Sequence, residues 1–580
     1  MHAKPHPALV SREAATRLPR LALLAMCAAY VLPGLFGRDP WRGADLGAFG
    51  KMLAMAEGRS PWLSPILGGV PADGALLPHW LGAAVIWLTS PWLDPALAAR
   101  VPFALLLVLT LVAVWYASYH LACSDAAQPV PFAFGGEADR TDYARAVADG
   151  ALLALLATLG LLQLGHETTP ELAQLAAIAC FQWALSAAPN RPMVARGGVL
   201  LTLPALAASG APSMALALGI GAILLEVRDR HPSRRGAASD TGFAPLGLPP
   251  PPDRSGLRMA PWLAGATLLA LAAAWSTQSW AWRVVPRIEI QQLGKLWLWF
   301  LWPSWLLAGW TVWRWRMHLG ERHLVAPLLG VAVALASCIA MGGSDRALML
   351  GLPGMATLAA FALPTLGRST SAAIDWFSVC FFSVCAMAIW VIYASLQTGI
   401  PAKPAANVAR LAPGFEARLS WIELGIAAIG TAAWLWLVRW RTARHRAVIW
   451  KSLVLPASGV VLCWLLLMTL WLPLLDYARS YRPLIERLAR TLPANGCIAA
   501  PEASASLVAA LEFHARHRVD ARPSSINGRC EVMVLVRRGP VPPAAPPGWV
   551  QVAAERRPTE RFEFTLVYRR RDAPRQPPAP

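Results

Sequence analysis

Apolar residues along this chain fall into runs of about 20, the length that crosses about 30 Å of hydrocarbon, and polar turns separate them. Arg and Lys gather in alternate turns, which orients the runs as a ladder with the amino terminus inside. The pattern predicts spans at Leu21–Gly37, Ala98–Ala122, Ala148–Leu164, Ala173–Ala188, Gly197–Ala208 and Pro212–Val227. After an inner loop that opens with RDRHPSRR, it predicts Ala260–Trp280, Leu296–Trp315, Leu324–Gly342, Ala347–Leu366, Ile374–Leu396, Leu419–Val438 and Val448–Leu472. The expectation is an all-α polytopic membrane protein of about 13 transmembrane helices. His79–Trp92 is apolar but short and bracketed by Pro78 and Pro91, so it is expected to lie along the outer interface.

The pattern changes near residue 474. Helices are expected over Tyr481–Thr491 and Ser504–Arg516, and the runs GCIAAPE, CEVMVLVRR, WVQVA and FEFTLVYRR suit strands. Residues 1–473 are therefore read as a transmembrane domain with an outer loop at 38–97. Residues 474–580 are read as a small extracytoplasmic α/β domain with a Pro-rich, disordered tip. Cys497 and Cys530 each open an expected strand in an oxidising compartment, and are either bridged or two buried thiols.

Composition supports the membrane reading. With 56% hydrophobic and 15% charged residues, the chain has too much apolar surface for a soluble protein of 580 residues. The net charge of +19 lies in short clusters between spans, as an inner membrane face requires, which argues against nucleic acid. Leu21–Gly37 follows Lys4, Arg12, Arg17 and Arg20 in the manner of a signal peptide, but lacks a small-x-small cleavage site and is read as retained. The 28 Trp suit interfacial belts.

Candidate chemistry sits in the first long polar interruption, residues 37–83. Asp45 follows the first span, where partial burial would raise its pKa and fit it to be a general base; equally, it suits the N-cap of a helix beginning there. His166, Glu167 and Glu171 form a second polar insertion, with the two Glu on one face if the turn is helical. Glu171, after Thr169 and Pro170, also reads as a helix first turn. A Ser344-Asp345-Arg346 turn puts an ion pair at the outer end of two spans. Arg346, with Arg283 and Arg287, would suit a phosphate or, equally, lipid headgroups.

These features resemble the membrane glycosyltransferases that use polyprenyl-phosphate sugars, the GT-C group holding protein O-mannosyltransferases and the aminoarabinose transferase of lipid A. In that group the first loop reads like D-E-x-R-Y-A, followed by E-K-P-P-L-x-Y-W-L-G-A. Here GADLGAFG supplies Asp45, with Leu46 at the second acid; ADGALLPHWLGA supplies Asp73 at the Glu, Gly74 at the Lys and His79 at the Tyr. The family acid after the third span corresponds to Glu171 or Glu167, and the Gly210-Ala211-Pro212 turn lacks the usual Lys. The resemblance implies Asp45 as catalytic base, a polyprenyl-phosphate-linked sugar as donor, and a lipid, glycan or protein acceptor outside a bacterial inner membrane. In the family a Lys at position 74 faces the donor phosphate; with Gly74 here, another cation, or none, takes over. A divalent metal would require the fold to bring Asp45, His79 and Glu171 together, since no ligand set has diagnostic spacing. The alternatives are a degenerate, non-catalytic lipid or partner binder, motivated by Leu46 and Gly74, and a lipid-linked sugar transporter. Transport is disfavoured because the polar clusters sit at span ends.

Overall fold

The computed structural model describes residues 8–571 except 73, 231–258, 278, 281–288, 443–447, 494–495, 529 and 540–544. Helix α1 (Arg20–Val31) stops at Leu32-Pro33-Gly34, where proline cannot continue the helix and Gly34 takes a φ of 83°. It is therefore shorter than the predicted Leu21–Gly37. The polar loop behind it folds as α2 (Ala44–Ala56), a hairpin of β1 (Ile66–Leu67) and β2 (Val70–Pro71), and α3 (Leu76–Thr89). Helix α4 (Pro95–Ala122) starts where the Asp94 carboxylate accepts from the N–H groups of Ala96 (3.0 Å) and Leu97 (3.2 Å), with Pro95 at the first helical position. Then come α5 (Arg140–Ala157), α6 (Leu159–Leu164), α7 (Pro170–Ala187), α8 (Pro192–Ala208) and α9 (Pro212–Arg230).

The second half continues with α10 (Ala260–Ser276), α11 (Ile290–Phe300), α12 (Ser304–Arg314), α13 (Arg322–Ala340), α14 (Asp345–Met349) and α15 (Leu352–Ala362). It ends with α16 (Arg368–Thr398), α17 (Ala402–Leu411), α18 (Trp421–Thr442) and α19 (Lys451–Leu467). Helices α4, α5, α7 and α15 pack on one another at the centre, and α15 is buried along its whole length. Helices α16 and α18 lie at the edge and expose Trp376, Val384, Ile422, Ile429 and Trp436, an apolar face that suits lipid.

Among the described residues, α4, α13, α16 and α18 are long and apolar enough to cross a membrane. Helix α19 followed by α20 (Leu472–Arg479), bent by 71°, makes a fifth if the pair is one span. The chain is a multi-pass membrane protein. The other predicted spans appear as shorter apolar helices, and three of them are broken: α5 from α6, α11 from α12, and α14 from α15. The first two breaks answer each other. Leu159 N–H donates to Trp302 O (3.0 Å), and the Thr158 and Ser304 hydroxyls meet at 2.6 Å, each also bonded to Ala154 O. Backbone groups freed by a break in an apolar bundle need such partners, because lipid offers none.

After α20 the chain forms α21 (Arg482–Leu488), β3 (Cys497–Ala499), α22 (Ala505–Phe513), β4 (Arg518–Asp520), β5 (Val532–Arg538), β6 (Trp549–Glu555) and β7 (Glu563–Arg570). The sheet order is β4-β3-β5-β7-β6, with β3 parallel to both β4 and β5 and the remaining pairs antiparallel. Strand β4 is an element the sequence pattern did not predict. Cys497 and Cys530 are disulfide-bonded, which links the start of β3 to the approach to its neighbour β5. Helix α22 docks on α2 so closely that a Cβ added at Gly50 would stand 2.3 Å from Ala509 Cβ. Phe49 and Phe513 meet edge to face, with centroids 4.9 Å apart.

Candidate active site

The turn between α1 and α2, the turn between α6 and α7, and the start of α14 converge on Asp45. Gly43 precedes α2, and Asp45 lies inside its first turn, so it is not the N-cap; its carboxylate reaches back and across instead. One oxygen, Oδ2, accepts from Trp41 N–H (3.0 Å) and Arg38 Nη2 (3.3 Å). The other, Oδ1, accepts from the Thr168 N–H (2.7 Å) and hydroxyl (2.8 Å). Asp45 is 1% exposed. Burial pushes its carboxyl up, but Arg38, the Thr168 N–H, Arg100 and the Trp41 N–H hold it below the ordinary carboxylate range. The expectation that burial would raise its basicity is therefore corrected: opposite charge and four donors outweigh desolvation.

Arg38 is the partner that organises this centre. Its side chain is fully enclosed, its Nη2 donates both to Asp45 and to His166 O (2.9 Å), and Trp41 packs against the guanidinium at 4.6 Å. Nε and Nη1 of Arg38 find no acceptor among the described residues. Arg100, from α4, donates to Leu35 O (3.2 Å) and to Arg38 O, and so fixes the same turn. A narrow hollow beside Arg100 and His166, also lined by Val31, Gly34, Leu35 and Phe103, has about 10 Å³ of space, room for about one water.

Glu167 is buried between Gln163 Nε2 (2.9 Å) and Arg346 Nη2, and Arg346 also bonds Thr169 Oγ1 (3.0 Å) and Glu171 (3.4 Å). Glu167 lies before α7 rather than on its face, so the two Glu meet through Arg346 and not through helical spacing. Burial and then the Asp45 charge raise the Glu167 carboxyl; Arg346 and Gln163 offset only part of that. His166 sets its ring between Leu162 O (2.7 Å) and Tyr30 O (2.8 Å) and against Trp464 (4.5 Å). Burial lowers it to about 4, opposed by the two carbonyl acceptors, which favour the protonated ring.

A second layer ties the site to the tail. Asp39 pairs with Arg482 and accepts from the Ser480 hydroxyl (2.9 Å), while Asp476 Oδ1 accepts from Asp39 N–H (3.0 Å) and Trp41 Nε1 (3.1 Å). Arg42 reaches Glu560 at 3.2 Å.

The structure thus joins Asp45, His166, Glu167, Glu171 and Arg346. Arg346 is engaged by two carboxylates, which corrects the expectation of a guanidinium open to phosphate. Asp345 is exposed and accepts from the N–H of Arg346 beside it (2.8 Å). His79 is buried on α3, the helix packed on α2. Asp73, Arg283 and Arg287 lie outside the described residues. Gly74 abuts Ser279 and Thr277 O, where an added Cβ would come within 2.8 and 2.9 Å, so position 74 has no room for the family's lysine. A cation does not fit the Asp45, His79 and Glu171 set either. Asp45 is saturated by donors, and among the described residues no three His, Cys, Asp or Glu side chains form a metal-binding group. Arg38, Arg100 and Thr168 were missed in the sequence, although Arg100, a charge inside a predicted span, was a signal.

Comparison with protein-family models finds no match, and comparison with curated proteins finds none. Among solved structures, the chain is similar to ArnT from Cupriavidus metallidurans bound to undecaprenyl phosphate, with a TM-score of 0.60 and 13% identity over 94% of this chain and 97% of that one. The apo state of the same protein gives a TM-score of 0.59 and 14% identity over the same shares. The likeness establishes a shared fold, which is the GT-C-like fold expected from the first loop.

Proposed function

We propose that this protein is a membrane glycosyltransferase that moves a hexosyl or pentosyl group from a polyprenyl-phosphate donor to an acceptor at the periplasmic face of a bacterial inner membrane. The amino terminus would be cytoplasmic and residues 474–580 periplasmic. The observation that carries the reading is Arg38: an enclosed guanidinium with two N–H groups lacking acceptors, beside Arg100, on a fold similar to a protein crystallised with undecaprenyl phosphate. Such an edge matches a phosphate once the enclosing turns open to admit it. A lipid-linked donor suits this side of the membrane, where nucleotide sugars are absent.

In this reading the donor phosphate takes Arg38, which releases Oδ2 of Asp45 toward the acceptor. Asp45 accepts the proton of the acceptor hydroxyl, the oxygen bonds to the anomeric carbon with inversion, and the electron pair of the breaking C–O bond goes to the phosphate oxygen. Arginine stabilises the charge that develops there, and Asp45 orients and deprotonates. Asp45→Asn should lower transfer by about 10²–10⁴-fold. Arg38→Gln should lower it by about 10²–10³-fold. Both are measured by mass spectrometry of envelope lipids and glycans, with melting and membrane insertion as controls. Full transfer by a folded Asp45→Asn protein would remove Asp45 as the base.

A second reading, a non-catalytic lipid or partner binder, is favoured by the donor-saturated Asp45 and by the hollow of only about 10 Å³ beside Arg100 and His166. It predicts lipid binding without turnover in any acceptor background.

A further inference from the structure

At the other end of the bundle a cavity of about 770 Å³ opens between the amino-terminal segment, the start of α16, the end of α18 and the start of α19. Lys451 lines it at the first residue of α19, and Trp464 of the same helix packs against His166. The two sites are therefore roughly 20 Å apart along the helix axis at 1.5 Å per residue. Its walls divide by chemistry. Leu363, Leu366, Val379 and Leu455 make an apolar side, with the exposed Leu9 and Trp376 also lining the cavity. Arg368, Arg441 and Lys451 make a cationic side, against which stands one carboxylate, Asp375, paired with Arg441. Arg441 Nε and Asp375 Oδ1 are buried and find no hydrogen-bond partner among the described residues. The Ser452 and Ser371 hydroxyls, 3.1 Å apart, add further polar groups.

We propose that this cavity binds an anionic phospholipid, its phosphate against Arg368, Lys451 and Arg441, and an acyl chain along Leu366, Trp376 and Val379. Three cations against one carboxylate leave the cavity positive, which the charge of a phosphodiester would balance. The apolar wall, with exposed Trp376 in it, selects a lipid over a soluble anion, and the volume is that of a ligand site. Arg12, Arg17 and Arg20 lie close in sequence to the lining Leu9, Val10 and Ala14, a basic segment of the kind that draws anionic lipids. The site is separate from the donor site proposed around Arg38 and does not depend on it.

The test is native mass spectrometry of the full-length protein in detergent with phosphatidylglycerol, with phosphatidylcholine of the same chains, and with inorganic phosphate. Phosphatidylglycerol should bind about tenfold more tightly than phosphatidylcholine. Binding should fall about tenfold in the double variant Arg368→Gln, Lys451→Gln. Arg368→Gln alone, at an exposed position, should lower it severalfold and serves if the double variant does not fold. Equal binding of the two lipids, full binding by the cavity variants, or phosphate binding as tightly as the lipid would each overturn the proposal.

Discussion

A guanidinium enclosed in protein destabilises its surroundings unless a carboxylate and further acceptors compensate it, and Arg38 has only part of that compensation. Asp45 is bound to it, and the Thr168 hydroxyl holds the opposite oxygen. Thr168→Val removes that donor and should lower stability by about 1.5–3 kcal/mol, measured by denaturation in detergent, because the acceptor is charged and buried. His166 gives a pH test. Its folded pKa of about 4 lies below its ordinary 6.5, so between those values the unfolded chain binds a proton that the folded one refuses. Stability is complete above pH 6.5 and is lost as pH falls toward 4. The difference in melting temperature between wild type and His166→Gln should shrink across that window; a constant difference would show that His166 does not titrate there. Asp45 was legible because an acid just past an apolar run stands out. Arg38 and Thr168 were not, since which groups face that acid is decided by contacts between turns some 120 residues apart.

At the scale of elements, periodicity and length found the apolar runs but not their breaks. Pro303 is a visible stop, whereas nothing in the sequence around Thr158 marks an interruption; that break exists because α12 offers bonds to the groups it frees. Strand β4 escaped detection because three residues carry too little alternation. Docking of α22 on α2 depends on two small faces. Gly50→Ala puts a methyl 2.3 Å from Ala509 Cβ and 3.2 Å from its Cα, so backbone must move; the expected cost is about 1–3 kcal/mol. Gly309→Ala in α12, with nothing within 4 Å, should be neutral or stabilise by up to about 1 kcal/mol. Melting temperatures and the rate of limited proteolysis between α20 and β3 separate the two outcomes.

Over the whole molecule, charge alternation carries more of the architecture than the tally of crossings does, because helices such as α1, with 12 residues, complete the bundle without spanning it alone. The proposed sidedness is tested by cysteines at two exposed positions, Glu57→Cys and Ser369→Cys, in a background lacking the exposed Cys380. An impermeant thiol reagent should label position 57 in intact cells and position 369 only after permeabilisation; the reverse pattern would overturn the orientation and the donor argument with it. The fold class and the character of the tail were readable from patterning. How the tail grips the first loop was not, because contacts such as Arg42 to Glu560 link the two ends of the chain.

That grip sets an order on biosynthesis. Asp39 and Trp41 emerge from the ribosome more than 400 positions before Asp476, Ser480 and Arg482, which fasten them. A nascent chain already threaded into the bilayer therefore carries an unfastened loop until residues 476–482 have been made and have docked. A premature stop codon anywhere upstream of position 476 should yield a membrane-inserted product in which limited proteolysis cuts the first loop, so that synthesis through position 482 acts as the licence for the centre to form.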